Sequence, residues 1–220
     1  MKKSVLSILA ISLLLVSVWA SVPSISSGSF DKIKKSNAFD QLQEGDIIFQ
    51  TTYSHQSQAI QMATHSKYSH VGILFRKEGR WFVYEAIQPV VATPLVEFIR
   101  HGTGGQFVVN RLKDSEKLLT DAIKAKMREE ALEHLGKDYD IYLAWDDTQM
   151  YCSELVWKIY QRALDVEIGE PLPLSNYDLS HDIVKAQLKA RFGSTIPMDE
   201  LMISPGAMFE SEELETVLTR

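Results

Sequence analysis

Three side chains in this sequence have the types needed for acyl chemistry: a thiol, an imidazole and a carboxylate. Cys152, in "MYCSELVWKIY", is the only cysteine among 220 residues. Leu155, Val156, Ile159, Tyr160 and Ala163 recur at three- and four-residue spacing, which predicts a helix from about Cys152 to Ala163. The thiol then falls in the first turn, where unpaired N–H groups and the positive end of the helix dipole favour a thiolate. Asp146, Asp147 and Glu154 oppose that effect, so a neighbouring histidine is needed as the base. A free cysteine is also a common inert core residue, so its position alone decides nothing.

Five of the six histidines have bland settings. His134 falls in a charged helix, His101 in the Gly-rich "RHGTGG", His55 and His65 beside a polar helix, and His181 after a helix cap. His70 instead opens an otherwise apolar strand, "SHVGILF". In the next run, "RWFVYEAI", the odd residue is Glu85, a carboxylate that is costly to bury without a partner. The intervening "RKEG" marks a hairpin. A four-residue loop puts His70 opposite Glu85, and a two-residue turn at Glu78-Gly79 puts them diagonal on one face. An odd loop would separate them onto opposite faces. Either even loop lets Glu85 orient the imidazole, so the constellation is Cys152, His70 and Glu85, a nucleophile, base and orienter. A satisfied structural His–Glu pair accounts for the last two equally well.

The elements that must position these groups run strands first, then helices. "GDIIFQ" (45–50) reads as a turn and a buried strand, "SQAIQMATH" (57–65) as a helix, and "FVVNRL" (107–112) as a strand. From about Asp114 the pattern is helical up to a C-cap at Gly136. "GEPLPLSNYDLS" reads as loop, and "HDIVKAQLKARFG" as a last helix between Ser180 and Gly193. The expectation is an α+β domain over residues 41–205, with an antiparallel sheet packed against helices and an acidic, coil-like C-terminal tail at 206–220.

Residues 1–20, "MKKSVLSILAISLLLVSVWA", have the basic start, apolar run and small-residue exit of a secretory signal peptide, followed by a polar lead-in at 21–40. The expected location is periplasmic or secreted, with no stable membrane span after cleavage. Removing the signal moves the formal charge from −6 to −8, which disfavours nucleic acid as a partner. One cysteine cannot form an internal disulfide, so stability must come from the core. No metal or other cofactor is expected: HExxH and paired CxxC motifs are absent, and "HSKYSH" does not put two ligands on one helix face. "GTGG" lacks the lysine and the strand–helix context of a phosphate loop.

"GDIIFQ", "SQAIQMATHSKYSHVGIL", "YEA", "HLGKDYD", "YCSELVWKIYQRAL" and "ISPGAMF" resemble the YiiX-like proteins, the circularly permuted branch of the NlpC-type papain-like cysteine hydrolases. The resemblance implies a circularly permuted papain-like fold, with a cysteine helix packed on the antiparallel sheet that carries the histidine. It implies that Cys152 is the nucleophile, His70 the base and Glu85 the polar third residue. Histidine precedes cysteine here, and triad chemistry is indifferent to chain order. The implied reaction is thiolate attack on a carbonyl, an acyl-thioester and its hydrolysis. The N–H of Cys152 is one oxyanion donor, and the sequence does not identify a second. Tyr68 and Tyr151 flank the triad and read equally well as pocket wall. The leading expectation is hydrolysis of a peptide amide bond, with a peptidoglycan fragment as the substrate class. Acyl transfer or (thio)ester cleavage with the same site, and a non-catalytic binding module, are the alternatives.

Overall fold

The computed structural model describes residues 39–220, so the signal expected at 1–20 and nearly all of the lead-in at 21–40 lie outside the described residues. Short β-branched and aromatic runs form strands β1 (Ile47–Gln50), β2 (His70–Lys77), β3 (Arg80–Ala86), β4 (Val90–Pro94), β5 (Val108–Leu112) and β8 (Leu214–Thr219). They make one sheet in the order β4-β3-β2-β1-β5-β8, every neighbouring pair antiparallel. Two further short strands, β6 (Leu172–Pro173) and β7 (Leu201–Met202), pair with each other. The main helices are α1 (His55–Thr64), α2 (Leu95–His101), α3 (Asp121–His134), α4 (Cys152–Leu164), α5 (Asp182–Phe192) and α6 (Pro205–Phe209). Among the described residues no helix is long and apolar enough to cross a membrane.

The period-2 alternation of the strands sorts the core into two layers. Phe49, Val71, Ile73, Phe75 and Tyr84 face one side, where Leu155, Val156, Ile159 and Tyr160 of α4 pack on them. Ile48, Leu74, Val83 and Val109 face the other, against Leu95, Phe98 and Ile99 of α2. The four α4 side chains are each fully buried, a gain of about 1.5–3 kcal/mol apiece that fixes this helix on the sheet. Tyr160 adds a hydrogen bond of 2.5 Å to the carbonyl of Gly45.

Three expectations are corrected. The acidic tail is not coil: Ser204 caps α6, and β8 forms the sheet's edge beside β5, burying Leu214 and Leu218. Leu214 packs in the α4 layer and Leu218 in the α2 layer, with a register shift between them, while Glu212, Glu213 and Glu215 hide the strand in a net acidic composition. His101 ends a helix rather than lying in a loop, because "PLVEFIRH" places Leu95, Phe98 and Ile99 on one buried stripe. The helix before Gly136 is also interrupted: a single turn at Ser115–Leu118 precedes α3, which Thr120 starts afresh by accepting from the Ile123 N–H.

Candidate active site

The β2–β3 hairpin closes with the two-residue turn. Lys77 pairs with Arg80, and Glu78 and Gly79 both have left-handed φ, +53° and +76°. Turns with positive φ at both central residues match the right-handed twist of the flanking strands. The register runs Phe75↔Phe82, Leu74↔Val83 and Ile73↔Tyr84, and its next step sets Gly72 opposite Glu85. His70 is therefore diagonal to Glu85 on the same face. Gly72 lies between them, and a Cβ there would sit 2.3 Å from Val83 Cγ1 and 3.4 Å from Glu85 Cβ. Its bare Cα leaves the space through which the carboxylate reaches the ring.

His70 Nε2 and Glu85 Oε2 are 2.5 Å apart, and both residues are buried. The imidazole stacks on Phe98 at 5.6 Å between ring centres, which fixes its plane. With Nε2 committed to Glu85, Nδ1 is the nitrogen left for Cys152, the other side chain whose interaction favours the imidazolium. Burial works against the imidazolium. Hydrogen bonds and negative charge from Cys152 and Glu85 outweigh it and push the pKa up to about 10. Burial likewise pushes Glu85 up, but the hydrogen bond and charge of His70 hold its carboxyl below the ordinary value. Thr93 on β4 also favours the ionised form, although Glu85 Oε1 accepts no hydrogen bond of ordinary geometry.

Cys152 is the first residue of α4 and is buried. At that position its N–H has no intrahelical partner. Glu154 Oε2 accepts from the N–H of Tyr151, which satisfies the donor just before the nucleophile position. Two of the three acids expected to oppose a thiolate, Asp147 and Glu154, are matched by cations. Lys158 Nζ donates to Glu154 at 2.7 Å and to Asp147 at 3.0 Å, and Arg162 donates to both Asp147 oxygens. The structure thus brings Cys152, His70 and Glu85 to one end of the sheet.

Tyr139 joins the site without having been singled out by its position in the chain. Its hydroxyl accepts from Gln56 Nε2 at 2.9 Å, across 83 residues of chain. The backbone of Tyr139 bridges Met150, two residues before Cys152, and its N–H donates to Gln88 Oε1. Burial, and the negative charge at Cys152 beside it, push the phenol pKa above its ordinary value. The group therefore keeps its O–H proton at neutral pH. Only "HLGKDYD" hinted at it, and a tyrosine whose partner lies that far along the chain has no spacing signature. Tyr68 and Tyr151 are both buried, and the Tyr151 hydroxyl accepts from the N–H of Ile203.

Residues 41–218 match the family described as permuted papain-like amidase enzyme, YaeF/YiiX, C92 family. The chain is 45% identical over 177 residues to the uncharacterized protein YiiX of Escherichia coli K12, covering 80% of this chain and 86% of that one. It also resembles the crystal structure of the metalloprotein yiiX from Escherichia coli O157:H7, with a TM-score of 0.78, 45% identity, and coverage of 82% of this chain and 98% of the other.

Proposed function

The chain belongs to the family of permuted papain-like amidases, and from that premise we propose that it is an exported cysteine amidase acting on cell-wall peptide amide bonds. The observation that carries the reading is His70, whose Nε2 pairs with a buried carboxylate while the helix-start thiol of Cys152 is the other side chain that favours its imidazolium form. In the proposed reaction the proton of Cys152 already rests on Nδ1 of His70, and the thiolate attacks the amide carbon. The carbonyl π electrons move onto oxygen, where the Cys152 N–H and the Tyr139 O–H are the donors. Collapse breaks the C–N bond, and the amine leaves with the proton from His70. Water, deprotonated by the same imidazole, then hydrolyses the acyl-thioester.

The Escherichia coli neighbour is described as a metalloprotein. Among the described residues of this chain, no group of three His, Cys, Asp or Glu side chains is placed to hold a metal ion. At the triad itself Glu85 already occupies His70 Nε2. This donor set does not fit a metal centre, and no step above uses one. The export leader and the acidic mature charge support a periplasmic setting and a substrate that is not a polyanion.

The test is Cys152 alkylation by iodoacetamide as a function of pH, in the native protein and in His70→Ala, followed by turnover of muropeptides. Fast alkylation that persists well below pH 8 and is lost in the variant, with release of a new amine from the muropeptide, is the expected result. An ordinary thiol titration unchanged by the mutation would sink the triad. A second reading, acyl-ester or thioester cleavage, draws on Tyr53, Ile87, Ile141 and Tyr142. These side chains are exposed and lie within three residues of Gln56, Glu85 or Tyr139. Faster turnover of p-nitrophenyl acyl esters than of muropeptides would favour it.

A further inference from the structure

The "ISPGAMF" stretch has no part in the chemistry above, yet it touches both sides of the site. Ile203 is held from two directions by the residues that flank Cys152. Its N–H donates to the Tyr151 hydroxyl at 3.1 Å, and its C=O accepts from Ser153 Oγ at 2.8 Å. Tyr151, Ser153 and Ile203 are all at most 3% exposed, so water cannot replace either bond. Met202, the preceding residue, accepts from the Tyr177 hydroxyl at 2.8 Å, which holds the peptide from behind.

The same short segment then reaches the histidine side. Ser204 caps α6 by accepting from the Ala207 N–H at 3.1 Å, and Pro205 sits in the first turn. Gly206 packs so closely on Ser66 that a Cβ would lie 2.6 Å from Ser66 Cβ. Ser66 Oγ accepts from the N–H of Tyr68, two residues before His70. At the end of α6, Phe209 contacts the rings of Tyr68 at 4.4 Å and Phe49 at 5.5 Å. One run of seven residues therefore grips the nucleophile's two neighbours at its start and the approach to the histidine strand at its end.

We propose that residues 203–209 are a brace that sets the separation of the Cys152 thiol and the His70 imidazole, with Tyr151 and Ser153 as positioning residues acting through the Ile203 peptide. The proposal deepens the amidase reading and rests on it for the roles of Cys152 and His70. No hydrogen bond within α4 or within β2 fixes the distance between these two elements. Sheet packing locates α4 as a body, whereas the Ile203 clamp fixes its first turn. A displacement of about 1 Å between reacting groups is enough to cost roughly 100-fold in rate.

The experiment compares Tyr151→Phe, Ser153→Ala and Gly206→Ala with the native protein by two readouts. One is the pH profile of Cys152 alkylation, and the other is the titration of His70 followed by ¹⁵N NMR. Circular dichroism and thermal melts confirm that each variant is folded. The expected result is folded variants whose alkylation at pH 6 slows by about ten-fold or more, toward the His70→Ala profile. Their His70 titration should move down toward that of Cys152→Ser. Because Tyr151 and Ser153 act through one peptide, the double variant should lose little more than the worse single one. Folded variants with the native alkylation profile and the native His70 titration would overturn the brace. If native alkylation proves independent of His70, the amidase reading fails, and the NMR titration alone decides the brace. Should Tyr151→Phe fail to fold, Ser153→Ala removes the other half of the same clamp and carries the test.

Discussion

At the scale of single residues the site depends on a buried ion pair that each partner stabilises in the other. Glu85→Gln keeps the shape of the side chain and removes its charge. Turnover should fall by roughly 10²–10⁴-fold, since the imidazolium that accompanies the thiolate loses its partner. The pair also makes stability depend on pH with a definite sign. Glu85, lowered from its ordinary 4.5, contributes fully above that value and loses its contribution as pH falls through the lowered one. His70, raised from its ordinary 6.5 to about 10, contributes fully below 6.5 and loses its contribution as pH rises through about 10. Both are fully present only between 4.5 and 6.5. Urea unfolding of native protein and Glu85→Gln should therefore differ most in that window. A difference that stays flat from about pH 4 to pH 10 would show that no ion pair forms. Gly72→Ala probes the gap between the pair. With a Cβ placed 2.3 Å from Val83, the hairpin must shift, and a loss of about 1–3 kcal/mol is expected from thermal unfolding.

At the scale of elements, α4 carries more than the cysteine. Lys158, in its second turn, is 4% exposed, and Glu154 is 0% exposed. The ammonium ties α4 to the preceding loop through the Asp146 carbonyl and the Asp147 carboxylate, and it lies over the Trp145 ring. Arg162 extends the link to Glu130 of α3. Burial pushes the Glu154 pKa up to about 7 in spite of Lys158. Lys158→Met should cost about 3–5 kcal/mol at pH 8, because Glu154 loses its partner inside the protein. The deficit should shrink as pH falls through 7 and Glu154 becomes neutral in the native protein as well. Replacing both residues by Met and Leu should cost less than either change alone. Chemical denaturation at pH 6 and pH 8 checks all three statements. A double variant worse than Lys158→Met would mean that the pair is a net stabiliser.

At the scale of the whole molecule, the strand nearest the C-terminal end of the chain forms one edge of the sheet that carries His70 and Glu85. β8, from the last residues of the chain, pairs with β5 and completes six strands. Removing residues 206–220 should expose the β5 edge and the side chains that pack under Leu214 and Leu218. Loss of soluble monomer by size-exclusion chromatography is the expected outcome. A truncated chain with a native melting temperature would show the strand to be dispensable. The same truncation leaves Cys152, His70 and Glu85 in place but removes residues 206–209 of the brace, so a loss of alkylation in a soluble remnant would report on the scaffold and the brace together and not on the triad alone.

Local signals carried much of this in the sequence. The 3.6-residue period from Leu155 to Ala163 put Cys152 at a helix start, and the parity of two strand runs put His70 and Glu85 on one face for either even turn. Those readings depend on neighbours within a window of about 11–18 residues, the range over which periodicity reports local backbone geometry. Choosing between the two even turns took the backbone itself, because Glu78 accepts a left-handed φ that its side chain does not advertise. The partnership of Tyr139 with Gln56, the grip of Tyr151 and Ser153 on Ile203, and the pairing of β8 with β5 were decided only in three dimensions. Each joins segments tens of residues apart. A hydrogen bond across such a distance exists only because the intervening core has already packed, and no periodicity along the chain records it.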